Sequence, residues 1–477
     1  MTSVVEKKIR AVMTQGAMAL ASFNRSRLGR PGGGDPFLQG IHAPMQAELD
    51  LASLPVEGSL PPELRGRYLR IGPNPIDPDP RGHHWFTGDG MVHGLRLEAG
   101  AAPWYRNRWV RSRSVAQALG EAPAPGPHRA LDTVNTAVIA HAGATYAIVE
   151  AGSVPVRLRD DLGQQAYDDF GGTLAGAFSA HPHADPRTGE LHAICYEGQR
   201  PDHVTHVVVD AAGRVTRELR VPMAHGPMVH DCALTARHVA ILDLPVCFTM
   251  PALLGGHRFP YRWKADQPAR VGLLPRAGDA ESIVWIPIEP CFVFHTVNAW
   301  DRDDGRVVLD VVVYDRMFDG PVSGPDQAPR GLERWVLDPV ARTCERRMLH
   351  AAPQEFPRID ERLAGQPNRY AYTVGLAAGG EAFVQAAGHV FKHDLDEGCH
   401  WRHDFGPGRI VGEFVFVPRS ATADEDDGWL LGLVIDTQTD STELAVLDAR
   451  DIEAPPVARV RLPHRIPPGF HGAWIPD

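Results

Sequence analysis

The sequence predicts an all-β chain, and within that class a seven-bladed β-propeller with a cap of loops and short helices over the end that holds the chemistry. Three observations carry this expectation. Helical periodicity is nearly absent beyond the first 30 residues, with Glu361 to Leu363 as the other weak candidate. Short runs of β-formers recur with turn signals about every 8–12 residues. Finally, 477 residues are too many for one sandwich but suit about seven four-stranded blades around an axis. The repeats are irregular in sequence, which separates the chain from WD40 and kelch arrays. The expected organisation is an N-terminal amphipathic segment and linker over residues 1–36, then a single propeller domain over 37–477.

Residues 1–30 carry six basic groups and one acidic group, a net +5 on a chain whose overall charge is −11. Lys7, Lys8 and Arg10 before Ala11 to Phe23 have the outline of a secretory leader, but Thr14, Gln15 and Gly16 weaken its apolar part. An amphipathic helix with Val5, Ile9, Val12, Met13 and Leu20 near one face fits better, and suits an anionic membrane surface; a disordered basic tail is the alternative. No run of about 18 apolar residues exists to span a bilayer. The expected location is the cytoplasm, with peripheral contact at the inner face of the membrane.

After the Gly/Pro-rich linker Gly29 to Pro36, Leu64 to Pro75 reads as a strand ending in a turn, and His83 to Gly94 as a second turn-rich segment. Thr136 to Ile139 and Thr145 to Glu150 flank the turn His141 to Ala144. His181 precedes the turn Asp185 to Gly189, His203 to Asp210 pairs with Val215 to Val221, and His230 leads into Cys232 to Leu234. The apolar run Pro290 to Phe294 stops at His295, reaches the turn Asp303-Asp304-Gly305, and returns as Arg306 to Tyr314. Later strands are Glu413 to Pro418, Trp429 to Ile435 and Glu443 to Leu447, before the tail Phe470-His471-Gly472. Pro251 to Pro268 and Pro321 to Arg330 read as insertions capping one end.

Charge and cysteine usage exclude some classes. A net charge of −11 argues against a nucleic-acid partner, which needs a basic face. Six scattered cysteines, with no C-x-x-C pair, read as small buried residues of a reducing compartment.

His181, His230, His295 and His471 each stand at a strand end beside a turn, separated by 49, 65 and 176 residues. On a propeller that spacing puts one histidine on each of four blades, able to point at the axis. Glu150, Glu355 and Glu413 occupy similar positions. A metal-binding imidazole needs its other ring N–H held by an acceptor, best a carboxylate, so four histidines and three glutamates form a coherent set. His183, His83 and His84 read as structural, and the spacing of His389, His393, His400, His403 and Cys399 matches no zinc pattern.

The chain resembles the carotenoid cleavage oxygenases, non-haem iron(II) enzymes on a seven-bladed propeller. The resemblance runs from about Leu51 to the C-terminus, on Arg70-Ile71-Gly72-Pro73-Asn74-Pro75, Trp85 to His93, Asn135-Thr136, Glu150, Ala180-His181-Pro182, His230-Asp231, Arg270-Val271-Gly272, Phe294-His295 with Asn298-Ala299-Trp300, Glu355-Phe356-Pro357-Arg358, Glu413 with Phe416-Val417-Pro418, and Phe470-His471-Gly472. Ile71 and Val229 depart from the usual Asn and Met of the family, without touching a ligand position. The resemblance implies Fe(2+) on His181, His230, His295 and His471. It also implies that Glu150 holds His230, Glu355 holds His295 and Glu413 holds His471, while Thr136 crowds an open coordination position.

The reaction implied is scission of one conjugated C=C bond by O2 into two carbonyl products. Stilbene-cleaving members are similar in gripping a phenol with a Tyr and a Lys. Here Trp109 stands at the matching Tyr place and no Lys occurs between Lys8 and Lys264, which favours a carotenoid or apocarotenoid. Trp109, Phe248 and Phe294 are expected to line its tunnel. Outside the oxygenases, the alternatives are a non-catalytic, metal-containing binding propeller or an isomerase similar to the animal visual-cycle relative.

Overall fold

The computed structural model describes residues 16–198, 200–379, 381–385 and 387–477. Seven antiparallel sheets surround one axis, five with four strands and two with five, and a two-stranded hairpin is added at one end. In chain order the innermost strands are Ala137–His141, His183–Ala184, Cys232–Leu234, Thr296–Asp301, Gln354–Arg358, Arg409–Pro418 and Gly472–Pro476. The expected architecture is the one observed.

Burial explains the sequence pattern. Middle strands such as Val307–Val313 and Gly428–Asp436 are packed on both faces by neighbouring blades and read as unbroken buried runs. Outermost strands such as Val215–Pro222 alternate exposed and part-buried residues, as one wetted face requires. The Asp303-Asp304-Gly305 turn forms as read, with Gly305 at φ +85°, a conformation that costs glycine little.

Two strand exchanges close the ring. Gly472–Pro476 pairs with Gly66–Pro73, so the last strand completes the sheet built from the N-terminal half. Val56–Gly58 in turn adds an outer strand beside Ala458–Leu462 in the preceding blade. Opening the ring would therefore break main-chain pairing in two blades.

The expected cap insertion is a hairpin, Val246–Phe248 with Tyr261–Trp263, carrying the short helix Met250–Leu254. A second helix over residues 16–26 lies against it: Asn24 Nδ2 donates to the Leu254 carbonyl (2.7 Å) and Arg25 Nε to the Gly256 carbonyl (2.9 Å). Leu20 sits on this helix and is exposed, while Val5, Ile9, Val12 and Met13 lie outside the described residues. No described helix is long and apolar enough to cross a membrane. All six cysteines are free.

Candidate metal centre

Each blade presents one residue to the axis, from just before its innermost strand or from within it. Thr136, His181, His230, His295 and His471 come directly before, or two residues before, the first strand residue, and Glu355 and Glu413 lie within the strand. Three of these sites coincide with a β-bulge or irregularity: between Thr296 and Asn298, between Glu355 and Arg358, and between Val411 and Phe414. Bulges re-aim side chains that a regular pleat would send to opposite faces. At the second, Phe356 adopts a left-handed backbone (φ 53°), a strained choice for an aromatic residue that tends to persist at functional sites.

The four predicted histidines come together. Nε2 of His295 lies 3.4 Å from Nε2 of His230 and 3.1 Å from Nε2 of His471. The His181 ring centroid lies 4.6 to 5.1 Å from the other three, and its buried Nε2 has no hydrogen-bond partner. The carboxylates lie on the opposite ring nitrogens. His295 Nδ1 donates to Glu355 Oε2 (2.5 Å) and His471 Nδ1 to Glu413 Oε1 (2.8 Å). Glu150 Oε2 is 3.0 Å from His230 Nδ1 but off the ring N–H direction, a close electrostatic contact and not an aligned hydrogen bond. With protons held on Nδ1, the facing Nε2 atoms present lone pairs to one another and cannot hydrogen-bond. That arrangement needs a cation between them. Two nitrogen donors about 2.1 Å from one ion and at right angles would lie about 3 Å apart, which matches the spacing found. Among the described residues, His181, His230 and His295 form one of two groups compact enough to hold a metal.

Each glutamate is fixed by a different third residue, none of which the sequence reading assigns. Tyr196 donates its hydroxyl to Glu150 (2.5 Å) and Tyr314 to Glu355 (3.1 Å). Arg358 reaches both oxygens of Glu413 (2.9 and 3.0 Å) and the Gly472 carbonyl (2.8 Å). Burial would push the Glu413 carboxyl up, but Arg358 and His471 outweigh it and hold it well below the usual carboxylate range. Burial, then Glu150, push the Tyr196 phenol far above its ordinary value, so it stays a donor. His181 has no carboxylate, and burial followed by its three histidine neighbours holds it well below the usual imidazole range. A signal for Arg358 was present: a cation three residues after Glu355, at the end of the same short strand.

A cavity of about 490 Å³ opens beside the histidines. Thr136, Glu150, His230, His295 and His471 lie on its wall, together with Trp85, Phe86, Phe259, Phe356 and Phe470. Phe294 and Phe248 line it as expected; the Phe294 ring lies 5.0 Å from that of His230. Thr136 donates its hydroxyl to Asn135 Oδ1 (2.9 Å) and so offers the cavity bulk and no free proton. Trp109 is a correction: it does not line the cavity. It ends strand Ala101–Trp109, packs with Met91 and Val115, and donates its indole N–H to the Asn74 carbonyl (2.8 Å). Nearness in sequence does not become nearness in space here, because strand alternation turns Trp109 into a separate small core.

His183 turns from the centre to Asp231 (2.8 Å), forming with Cys232 the second compact group; Asp231 is already satisfied by Thr296. His84 caps Phe86 and stacks on Phe259 at 4.0 Å. Among the described residues, His389, His393, His400 and His403 form no group compact enough for a metal.

The family model for the retinal pigment epithelial membrane protein matches residues 42–476. A carotenoid cleavage oxygenase from Mycobacterium tuberculosis is 41% identical over 93% of this chain and 98% of its own. The apocarotenoid-15,15'-oxygenase of Synechocystis is 32% identical, over 88% of this chain and 92% of its own. Among solved structures, lignostilbene dioxygenase from Pseudomonas brassicacearum superposes with a TM-score of 0.83 at 27% identity, covering 94% of this chain and all of the other. A cobalt-substituted Synechocystis apocarotenoid oxygenase gives 0.78 at 28%, over 91% and 97%. With a metal-ready histidine cluster at the axis of the shared propeller, the chain belongs to the retinal pigment epithelial membrane protein family, that of the carotenoid cleavage oxygenases.

Proposed function

We propose that this protein is a non-haem iron(II) dioxygenase that cleaves a conjugated C=C bond of a carotenoid or apocarotenoid with O2, giving two aldehyde or ketone products. The observation that carries the reading is the convergence of four imidazoles, three of which (His230, His295 and His471) lie on the wall of an aromatic cavity. His181, His230, His295 and His471 are its ligands, with Glu150, Glu355 and Glu413 holding three of them. A purely imidazole donor set suits iron, as it does zinc, copper and nickel, and leaves the ion's charge undiminished; the O2 chemistry proposed selects iron. When bound, ferrous iron supplies one-electron chemistry with O2 beside the alkene.

The chain's own residues bind, orient and exclude water. The aromatic wall desolvates a polyene and fixes which bond lies beside the histidines. Alkene plus O2 balances to two carbonyls without added electrons or net proton transfer, so no general acid is required. Accordingly, both carboxylates on the cavity wall among the described residues are engaged, Glu150 by Tyr196 and Glu197 by Arg129. The stilbene reading is weaker because, among the described residues, no lysine lines the cavity.

Peripheral membrane contact is part of the proposal. It is supported by exposed Met18, Leu20 and Phe23 on the helix over 16–26 and Met250 on the cap, with Met18 and Leu253 at the cavity. Metal analysis of aerobically purified protein, then chromatography of products from an all-trans apocarotenal and from a hydroxystilbene, tests the function. Absence of iron, or iron without a carbonyl product, would overturn it. Vesicle co-sedimentation that is unchanged by Phe23→Glu with Met250→Glu would remove the membrane contact.

A further inference from the structure

Adjoining the main cavity is a second, small chamber of about 30 Å³, and one residue in it is out of place. Its wall is apolar (Leu376, Ile410, Val411, Leu433 and Ile435) except for Arg70. The Arg70 side chain belongs to strand Gly66–Pro73, opposite Gly472 in register, and the residue is 3% exposed. Its Nη2 donates to the Pro467 carbonyl (2.6 Å), its Nε has no partner, and it forms no ion pair among the described residues. Glu413, the carboxylate whose charge reaches it, is already engaged by Arg358 and His471. The fold makes room for this guanidinium: a Cβ on Gly469 would lie 2.8 Å from its Cζ.

A buried, unpaired cation is destabilising, and an apolar residue of similar volume would serve the core better. Its position suggests a use. Trp85, Phe356 and Phe383 line both this chamber and the main cavity, so the two spaces adjoin at these aromatic side chains. The chamber has room for about two heavy atoms, at roughly 10–15 Å³ for a water-sized one. A terminal C=O fits that space, while a ring does not.

We infer that Arg70 receives the oxygen-bearing terminus, an aldehyde or carboxylate, of a linear polyene that has passed the histidines. Arg70 is then a positioning residue: with one end anchored, the distance along the chain sets which double bond lies at the metal centre. The inference rests on the proposed function for its substrate class, and its test separates the two. Binding of matched polyenes, one ending in an aldehyde and one in a hydrocarbon, is read by quenching of tryptophan fluorescence, since Trp85 lines both spaces. The wild type is expected to prefer the aldehyde by about tenfold. Arg70→Met should abolish that preference while leaving hydrocarbon affinity unchanged, and Arg70→Lys should retain part of it. With turnover, Arg70→Met should spread cleavage over neighbouring bonds, seen by mass spectrometry of the products.

Equal affinity of the wild type for the two polyenes overturns the inference, whether or not the variant folds. A resident chloride would also overturn it: exchanging chloride for gluconate would then lower the melting temperature and leave end-group preference absent. End-group preference without cleavage would count against the oxygenase reading alone.

Discussion

Arg358→Met is the perturbation whose size the structure fixes best. Arg358 makes two hydrogen bonds to Glu413, a carboxylate whose side chain is 2% exposed, and it is itself about one-quarter exposed. Removing it leaves Glu413 charged, with only His471 Nδ1–H and the Gly472 N–H (2.8 Å each) as donors. Breaking a buried pair from one side costs about 3–5 kcal/mol, and the partial exposure of Arg358 points to the lower end, about 3 kcal/mol. Unfolding entropy of about 2.1 cal/mol/K per residue over 477 residues is about 1 kcal/mol/K, so the melting temperature should fall by about 3 °C. Urea titration of wild type, Arg358→Met, Glu413→Gln and the double variant gives the coupling directly. The double variant should be more stable than the sum of the single losses implies, by about 1–3 kcal/mol, because the neutral amide introduced by Glu413→Gln needs no countercharge. An Arg358→Met loss under about 0.5 kcal/mol, or strict additivity, would refute the argument that Arg358 neutralises Glu413.

Three further outcomes follow from the same geometry. His295→Ala should lose bound iron and turnover while keeping its far-UV spectrum, and metal content equal to wild type would remove His295 from the centre. Glu150→Gln should weaken metal retention by about 10–100-fold in a chelator titration, with Tyr196→Phe smaller in the same direction; no change in either would mean that Glu150 does not orient His230. Acid sensitivity should come from histidines buried neutral, for which burial is the first cause: His42 is pushed down to about 4, and His206 and His393 to about 3. Their unfolded value is about 6.5, so below that pH the unfolded chain takes up protons that the native state refuses. Stability is therefore full above pH 6.5 and is lost as pH falls toward 4 and then 3. A urea midpoint that stays flat from pH 7.5 to 5 would show that these residues do not act this way.

Much of the site was legible because a propeller brings together residues remote in sequence at equivalent places. His181, His230, His295 and His471 share one local setting, a side chain just before an innermost strand, while Glu355 and Glu413 lie within theirs. That setting can be recognised from flanking turns and apolar runs alone. Glu150 stood out as the residue closing an apolar strand, and its pairing with His230 came from the resemblance. Arg358 and Arg70 stood in motifs whose strand character was clear, yet their partners, Glu413 and an apolar chamber, lie on other blades. Trp109 failed because its side chain is turned into a different core, with Met91 and Val115, away from the cavity.

By itself the sequence determined the class of fold and, through the family resemblance, pointed to the four imidazoles and the carboxylates able to hold them, while local strand and turn chemistry marked only their settings. Only the tertiary structure decided which third residue fixes each glutamate, that His230 meets Glu150 off its N–H direction, and that an arginine is buried unpaired beside the main cavity. Those are properties of distances and directions between blades. Side-chain period along a strand says which face a residue occupies, but not what another blade, closed into the ring by its strand exchanges, sets against that face.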